Sequence, residues 1–183
     1  MGDVSSWCVS KVVTFSSMFM DTNVNWNSDL SKWSTSSATS FLAMFQGATS
    51  FNSNTSNWNT ISAREMSGMF ERCENFKGHG LETWDVSKVT SINSMFRQAE
   101  NLDFDVSLWN TARVKNMNHA FQDARTFRGI GLDEWNGMFK YHIQVQKCED
   151  ISFSPHFSFQ HFATNTYRHT KTSNSIRRNA RRI

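Results

Sequence analysis

The run Leu81-Glu82-Thr83-Trp84-Asp85-Val86-Ser87-Lys88-Val89-Thr90-Ser91-Ile92-Asn93-Ser94-Met95-Phe96 decides how the chain is read. Its tryptophan is one of six that recur at a near-constant interval: Trp7, Trp33, Trp58, Trp84, Trp109 and Trp135, in steps of 26, 25, 26, 25 and 26 residues. Twelve residues after each of the first five stands a phenylalanine: Phe19, Phe45, Phe70, Phe96 and Phe121. Counting from the tryptophan, position +5 is Val12, Ala38, Ala63, Val89 or Val114, and position +8 is Phe15, Phe41, Met66, Ile92 or Met117. Position +15 is small (Thr22, Ala48, Cys73, Ala99, Ala124), and position +18 is Asn25, Phe51, Phe76, Leu102 or Phe127. A fixed period over this many columns is the signature of stacked repeats, none of which buries its apolar face alone. The tryptophan and phenylalanine ladders are the expected structural core.

Apolar positions at +5, +8, +11/+12 and +15 step by three and four, the spacing of one face of an amphipathic helix. In the fourth unit the predicted helix runs from Ser87 to Ala99, with Ser87, like Ser10 and Ser36, placed to cap its first turn. Before it, Trp84 and Val86 alternate inward, as do Trp33 with Thr35, Trp58 with Thr60 and Trp109 with Thr111, which predicts a short strand. The expected fold class is therefore an α/β repeat: a leucine-rich-repeat-like solenoid with one short strand and one helix per 25–26-residue unit. Strands pair about 4.8 Å apart and helices need about 8–10 Å, so the strands take the concave face.

The repeats predict a first region at residues 1–139, five full units and a partial sixth. Residues 140–167 read as an irregular C-terminal cap or degenerate segment, and 168–183 as a basic, disordered tail with six Lys/Arg and no Asp/Glu. Net charge is +3, yet the chain outside that tail holds thirteen basic and sixteen acidic residues. With 14% aromatic and 19% charged residues the composition excludes a disordered chain. No apolar run has the length of a membrane helix, and Met1–Cys8 lacks a secretory layout. Cys8, Cys73 and Cys148 are too dispersed for a zinc cluster. Cys73, in the small column, reads as a buried hydrophobe.

The spelling Leu-x-x-Trp-Asp-Val-Ser-x-Val-Thr-x-x-x-x-Met-Phe, clearest from Leu81 to Phe96, resembles the 26-residue repeat of BspA-like leucine-rich-repeat surface proteins. The likeness covers about residues 4–136. It implies a leucine-rich-repeat-like fold, a cell-surface or extracellular location and an adhesive role, and it implies no catalytic residues.

No motif with a catalytic mechanism is present: no phosphate loop, no His-Glu-x-x-His, no Gly-x-Ser-x-Gly. Asp21–Asn27 has Trp26 where a calcium loop needs glycine and Lys32 where it needs glutamate. No enzyme activity, cofactor or metal is expected. The expected binding face is the outward polar row on the concave side: Lys32, Ser34, Asn57, Asn59, Thr83, Asp85, Asn110, Glu134 and Asn136. It would present a non-enzymatic module to a protein or glycan partner. On this reading, replacing Asn59, Asp85 and Asn110 abolishes binding without lowering stability. Two other readings stay open: a fragment of a larger surface protein whose ends self-associate, and binding of nucleic acid or anionic membrane through the basic tail. Nucleic acid is the less expected partner, since the tail has little aromatic content to interleave with its arginines.

Overall fold

The computed structural model describes residues 2–22 and 25–135. The chain parts into Met1–Ser152 and Phe153–Ile183, and the described residues fall within the first unit. The regions expected at 140–167 and 168–183 lie outside the described residues, as does Asn136. Five coils follow one another, residues 4–29, 30–54, 55–80, 81–105 and 106–131, and residues 132–135 open a sixth.

The expected α/β solenoid does not form. Among the described residues the only helices are two single-turn 3-10 segments, Leu81–Thr83 and Leu132–Glu134. Among the described residues the only pairings are isolated parallel bridges, Thr14↔Ser40, Ser40↔Glu65, Glu65↔Ser91 and Ser91↔Asn116. These bridges fall at position +7, inside the segment that reads as a helix and not beside the tryptophan that reads as a strand.

The reason is that another structure produces the same apolar spacing. Each coil is a string of i→i+3 turns. In the fourth coil the N–H groups of Trp84, Val89, Met95, Ala99 and Leu102 donate to the carbonyls of Leu81, Val86, Ile92, Phe96 and Ala99. Consecutive turns of this kind place inward side chains three or four residues apart, as a helix does. Positions +10 and +14 have φ between 50° and 72° in every coil: Ser17, Asp21, Ala43, Gly47, Gly68, Arg72, Ser94, Gln98, His119 and Asp123. A right-handed helix requires negative φ throughout, so two left-handed residues per coil rule it out. The N–H groups freed from any helix join the coils together. Ile92, Ser94, Phe96 and Gln98 donate to Asn116, Asn118, Ala120 and Gln122 of the next coil at 2.7–2.9 Å. The same four positions do so at each earlier junction.

Aromatic ladders fill the interior. Successive rings of Phe19, Phe45, Phe70, Phe96 and Phe121 lie 5.5, 5.6, 5.7 and 5.3 Å apart. Trp33, Trp58 and Trp84 stack within 6° of parallel. Each indole also makes one polar bond: Nε1 of Trp33, Trp58, Trp84, Trp109 and Trp135 donates to the carbonyl of Val4, Leu30, Thr55, Leu81 and Val106, one coil back. The ring thus buries apolar area while satisfying a carbonyl inside the core. Trp7, expected in the core, is 51% exposed, because no described coil precedes it to cover its outer face. Trp26, the tryptophan outside the ladder, takes the +18 place that Asn25 cannot fill, stacking 4.5 Å from Phe19.

Candidate functional site

Positions −1 and +1 flank each buried tryptophan, so their side chains point away from the core. Lys32, Ser34, Asn57, Asn59, Thr83, Asp85, Asn110 and Glu134 are all exposed. The expectation of a concave face loses its premise, since among the described residues there are no helices wider than strands to bend the array. What remains is a row of polar side chains repeated from coil to coil.

Much of that row is occupied in holding the backbone. The side-chain oxygens of Asn59, Asp85 and Asn110 accept the N–H groups of Ile61, Ser87 and Ala112 at 3.1, 2.9 and 3.2 Å. These are Asx turns, in which a short polar side chain replaces a backbone acceptor two residues before the N–H it binds. Asn57 Nδ2 donates to the Ser31 carbonyl of the preceding coil, and the Thr83 hydroxyl lies within bonding distance of the Gly80 and Ser56 carbonyls. Beneath the row, the Thr35 and Thr60 hydroxyls donate to the carbonyls of Asn59 and Asp85 in the next coil. Lys32, Ser34 and Glu134 close no turn.

The electrostatics follow the turns. The Ser87 hydroxyl and N–H hold Asp85 below the ordinary aspartate value, and Ser31 and Ser5 do the same for Asp29 and Asp3. These hydrogen bonds favour the ionised form of each carboxylate. Two shallow, open hollows lie along the array. One, of about 330 Å³, has Leu108, Asn110 and Glu134 in its wall. The other, of about 580 Å³, includes Asp3, Asp29 and Lys32. Among the described residues no group of three His, Cys, Asp or Glu side chains is placed to hold a metal ion.

The bridge row at +7 and +9 was not legible in the sequence. Thr14, Ser16 and Ser40 share hydroxyl contacts of 2.8 and 2.9 Å, and Ser67 and Ser91 one of 2.6 Å. A helix reading scatters these residues around a cylinder. The available signal was their abundance, since Ser, Thr and Asn compete with helical backbone bonds.

Residues 1–79 and 64–147 each match the model of a family described as Mycoplasma protein of unknown function, DUF285. No curated protein and no solved structure matches the chain.

Proposed function

The chain belongs to the Mycoplasma protein family of unknown function DUF285, and from that premise we propose that it is a non-catalytic interaction module which offers its repeated polar row to a protein or glycan partner. The observation that carries this reading is the exposure of the −1 and +1 residues in every described coil, with the same backbone beneath each. Repeat arrays bind through such surfaces because each added unit extends the contact without a new fold. The repeat spelling from Leu81 to Phe96, which resembles BspA-like surface arrays, supports a surface-exposed, adhesive setting.

The test immobilises the full chain and exposes it to a panel of extracellular-matrix proteins and glycans. A variant carrying Lys32→Glu, Ser34→Lys and Glu134→Lys changes the outward residues that hold no turn. Saturable binding by the parent, lost in this variant at unchanged melting temperature, is the expected result. Failure to bind any member of the panel, or equal binding by the variant, overturns the assignment. Mild protease treatment of intact cells, with detection of peptides from residues 64–128, tests the surface location separately.

A further inference from the structure

We propose that the edge formed by positions +3 to +6 of the five coils binds a linear anionic polysaccharide, one bearing sulfate or carboxylate groups along its length. This narrows the glycan half of the proposed function and rests on the reading of the chain as an interaction module, but it names a different set of columns from the polar row.

The edge comprises residues 10–13, 36–39, 61–64, 87–90 and 112–115. It contains Lys11, Arg64, Lys88, Arg113 and Lys115 and no aspartate or glutamate. All five cations are exposed. Backbone bonds fix their register. The N–H groups of Thr39, Arg64, Thr90 and Lys115 donate to the carbonyls of Val13, Thr39, Arg64 and Thr90 at 2.8, 2.9, 2.8 and 2.7 Å. Arg64 and Lys115 therefore stand two coils apart in one file. Lys11, Lys88 and Arg113 stand in a parallel file at +4. With hydrogen-bonded backbones ~4.8 Å apart, the two files extend ~19 Å from the first coil to the fifth.

Among the described residues the fold pairs its other arginines. Arg72, Arg97, Arg125 and Arg128 meet Asp21, Glu71, Glu100 and Asp103 at 3.0, 3.2, 3.3 and 2.8 Å. None of the five edge cations has a carboxylate within 4.0 Å among the described residues. The flanking columns bring only Asp85, whose charge Lys88 feels, and Glu65, whose carboxylate is taken by the Ser67 N–H. Lys88 and Arg113 hold the same position in adjacent coils, and like charges so placed work against the fold. A row of anions laid along the files removes that repulsion and releases their counterions, which is the physics of polyanion binding.

The chemistry of the edge distinguishes among polyanions. It has no aromatic side chain, so it offers no platform for a nucleic-acid base. Its exposed large aliphatics are Val13 and Ile61 alone, too little apolar surface to enter a lipid bilayer. Beside the cations stand Ser36 and Ser87 at +3 and Ser62 at +4, which suit sugar hydroxyls, and the arginines suit the paired oxygens of sulfate or carboxylate.

The experiment measures binding of the full chain to heparin, hyaluronan, neutral dextran, oligouridine and phosphatidylserine vesicles. The edge variant carries Lys11→Ser, Lys88→Ser, Arg113→Ser, Arg64→Thr and Lys115→Thr. The array already accepts serine at +4 (Ser37, Ser62) and threonine at +6 (Thr39, Thr90), so these changes reuse its own vocabulary. A tail variant changes Arg177, Arg178, Arg181 and Arg182 to serine. Expected is heparin affinity roughly 30-fold weaker in the edge variant with a flatter salt dependence, and little change in the tail variant. The single variants Lys11→Ser and Lys115→Thr, each losing a share, serve if the five-fold variant does not fold. Loss confined to the tail variant overturns the proposal, as does equal binding of oligouridine or vesicles at the edge. A protein or neutral-glycan ligand that survives the edge changes also overturns it, while leaving the interaction-module reading standing. Binding to nothing sinks both.

Discussion

Gly68 and Gly80 both have positive φ, +61° and +94°, yet they answer to different constraints. Gly68 is at position +10, where the other coils place Ser17, Ala43, Ser94 and His119 in the same backbone region. A Cβ built there meets nothing nearer than 3.5 Å. At Gly80 a Cβ would lie 2.1 Å from the Ser56 nitrogen, backbone that cannot swing aside. Gly68→Ala should therefore cost about 1 kcal/mol, the price of a left-handed L-residue. Gly80→Ala should cost about 2–4 kcal/mol through enforced displacement of the Thr55–Ser56 backbone at the start of the same coil. Urea denaturation of the two variants measures the difference, and equal costs would show that Gly80 is less closely seated on the Ser56 backbone than this. Cys73 makes a second prediction at this scale. Burial pushes its thiol well above the ordinary value, and its Sγ lies 2.8 Å from the Phe45 carbonyl. Exposed Cys8 should alkylate in the folded protein, and Cys73 only after denaturation. Mass spectrometry after a short iodoacetamide pulse reads both.

Single turns are the elements of this fold, and they account for both what could be read in advance and what could not. The period, the tryptophan and phenylalanine ladders and the outward row were visible because they depend only on which positions are inward. The secondary structure was not, because consecutive i→i+3 turns and an α-helix generate the same three- and four-residue spacing. Ser87–Ala99 contained the deciding hint: Ser87, Thr90, Ser91, Asn93 and Ser94 are poor helix formers, and Ser94 takes φ 53°. The same misreading made Asn59, Asp85 and Asn110 look dispensable to the fold. Each closes an Asx turn, so changing all three to alanine should lower stability by about 1 kcal/mol per position, and a thermal melt at unchanged temperature would contradict that. Acid should have a related effect. Asp85 has a folded pKa below the ordinary 3.8, so its contribution is complete above that value and is lost as pH falls through 3.8 and then through the folded pKa. Asn59 and Asn110 make the same bond without a charge. Asp85→Asn should keep the turn and flatten the fall in melting temperature between about pH 5 and 2. An unaltered acid profile would place the sensitivity in other carboxylates.

At the scale of the whole array, the coils share one set of junctions, and stability should be counted in junctions. Every junction between the described full coils carries four forward N–H···O bonds, one indole-to-carbonyl bond and one step of the phenylalanine ladder. Deleting residues 59–84 joins Trp58 to Asp85 and removes one period, so the hybrid coil still presents its donors to Asn116, Asn118, Ala120 and Gln122. Its other side still accepts from Phe41, Ala43, Phe45 and Gly47. Nearest-neighbour energetics then predict a chain that folds cooperatively with a lower melting temperature, one junction poorer. Deleting residues 59–71 removes half a period. Trp58 then precedes Arg72, the donors Met66, Gly68 and Phe70 are missing from the third coil, and Phe45 loses Phe70 as its ladder partner. That chain should not fold as a unit, although it loses fewer residues. Circular dichroism and near-ultraviolet tryptophan signals of the two deletions decide the matter, because a fold held by local turns alone would rank them by length and one held by junctions ranks them by register.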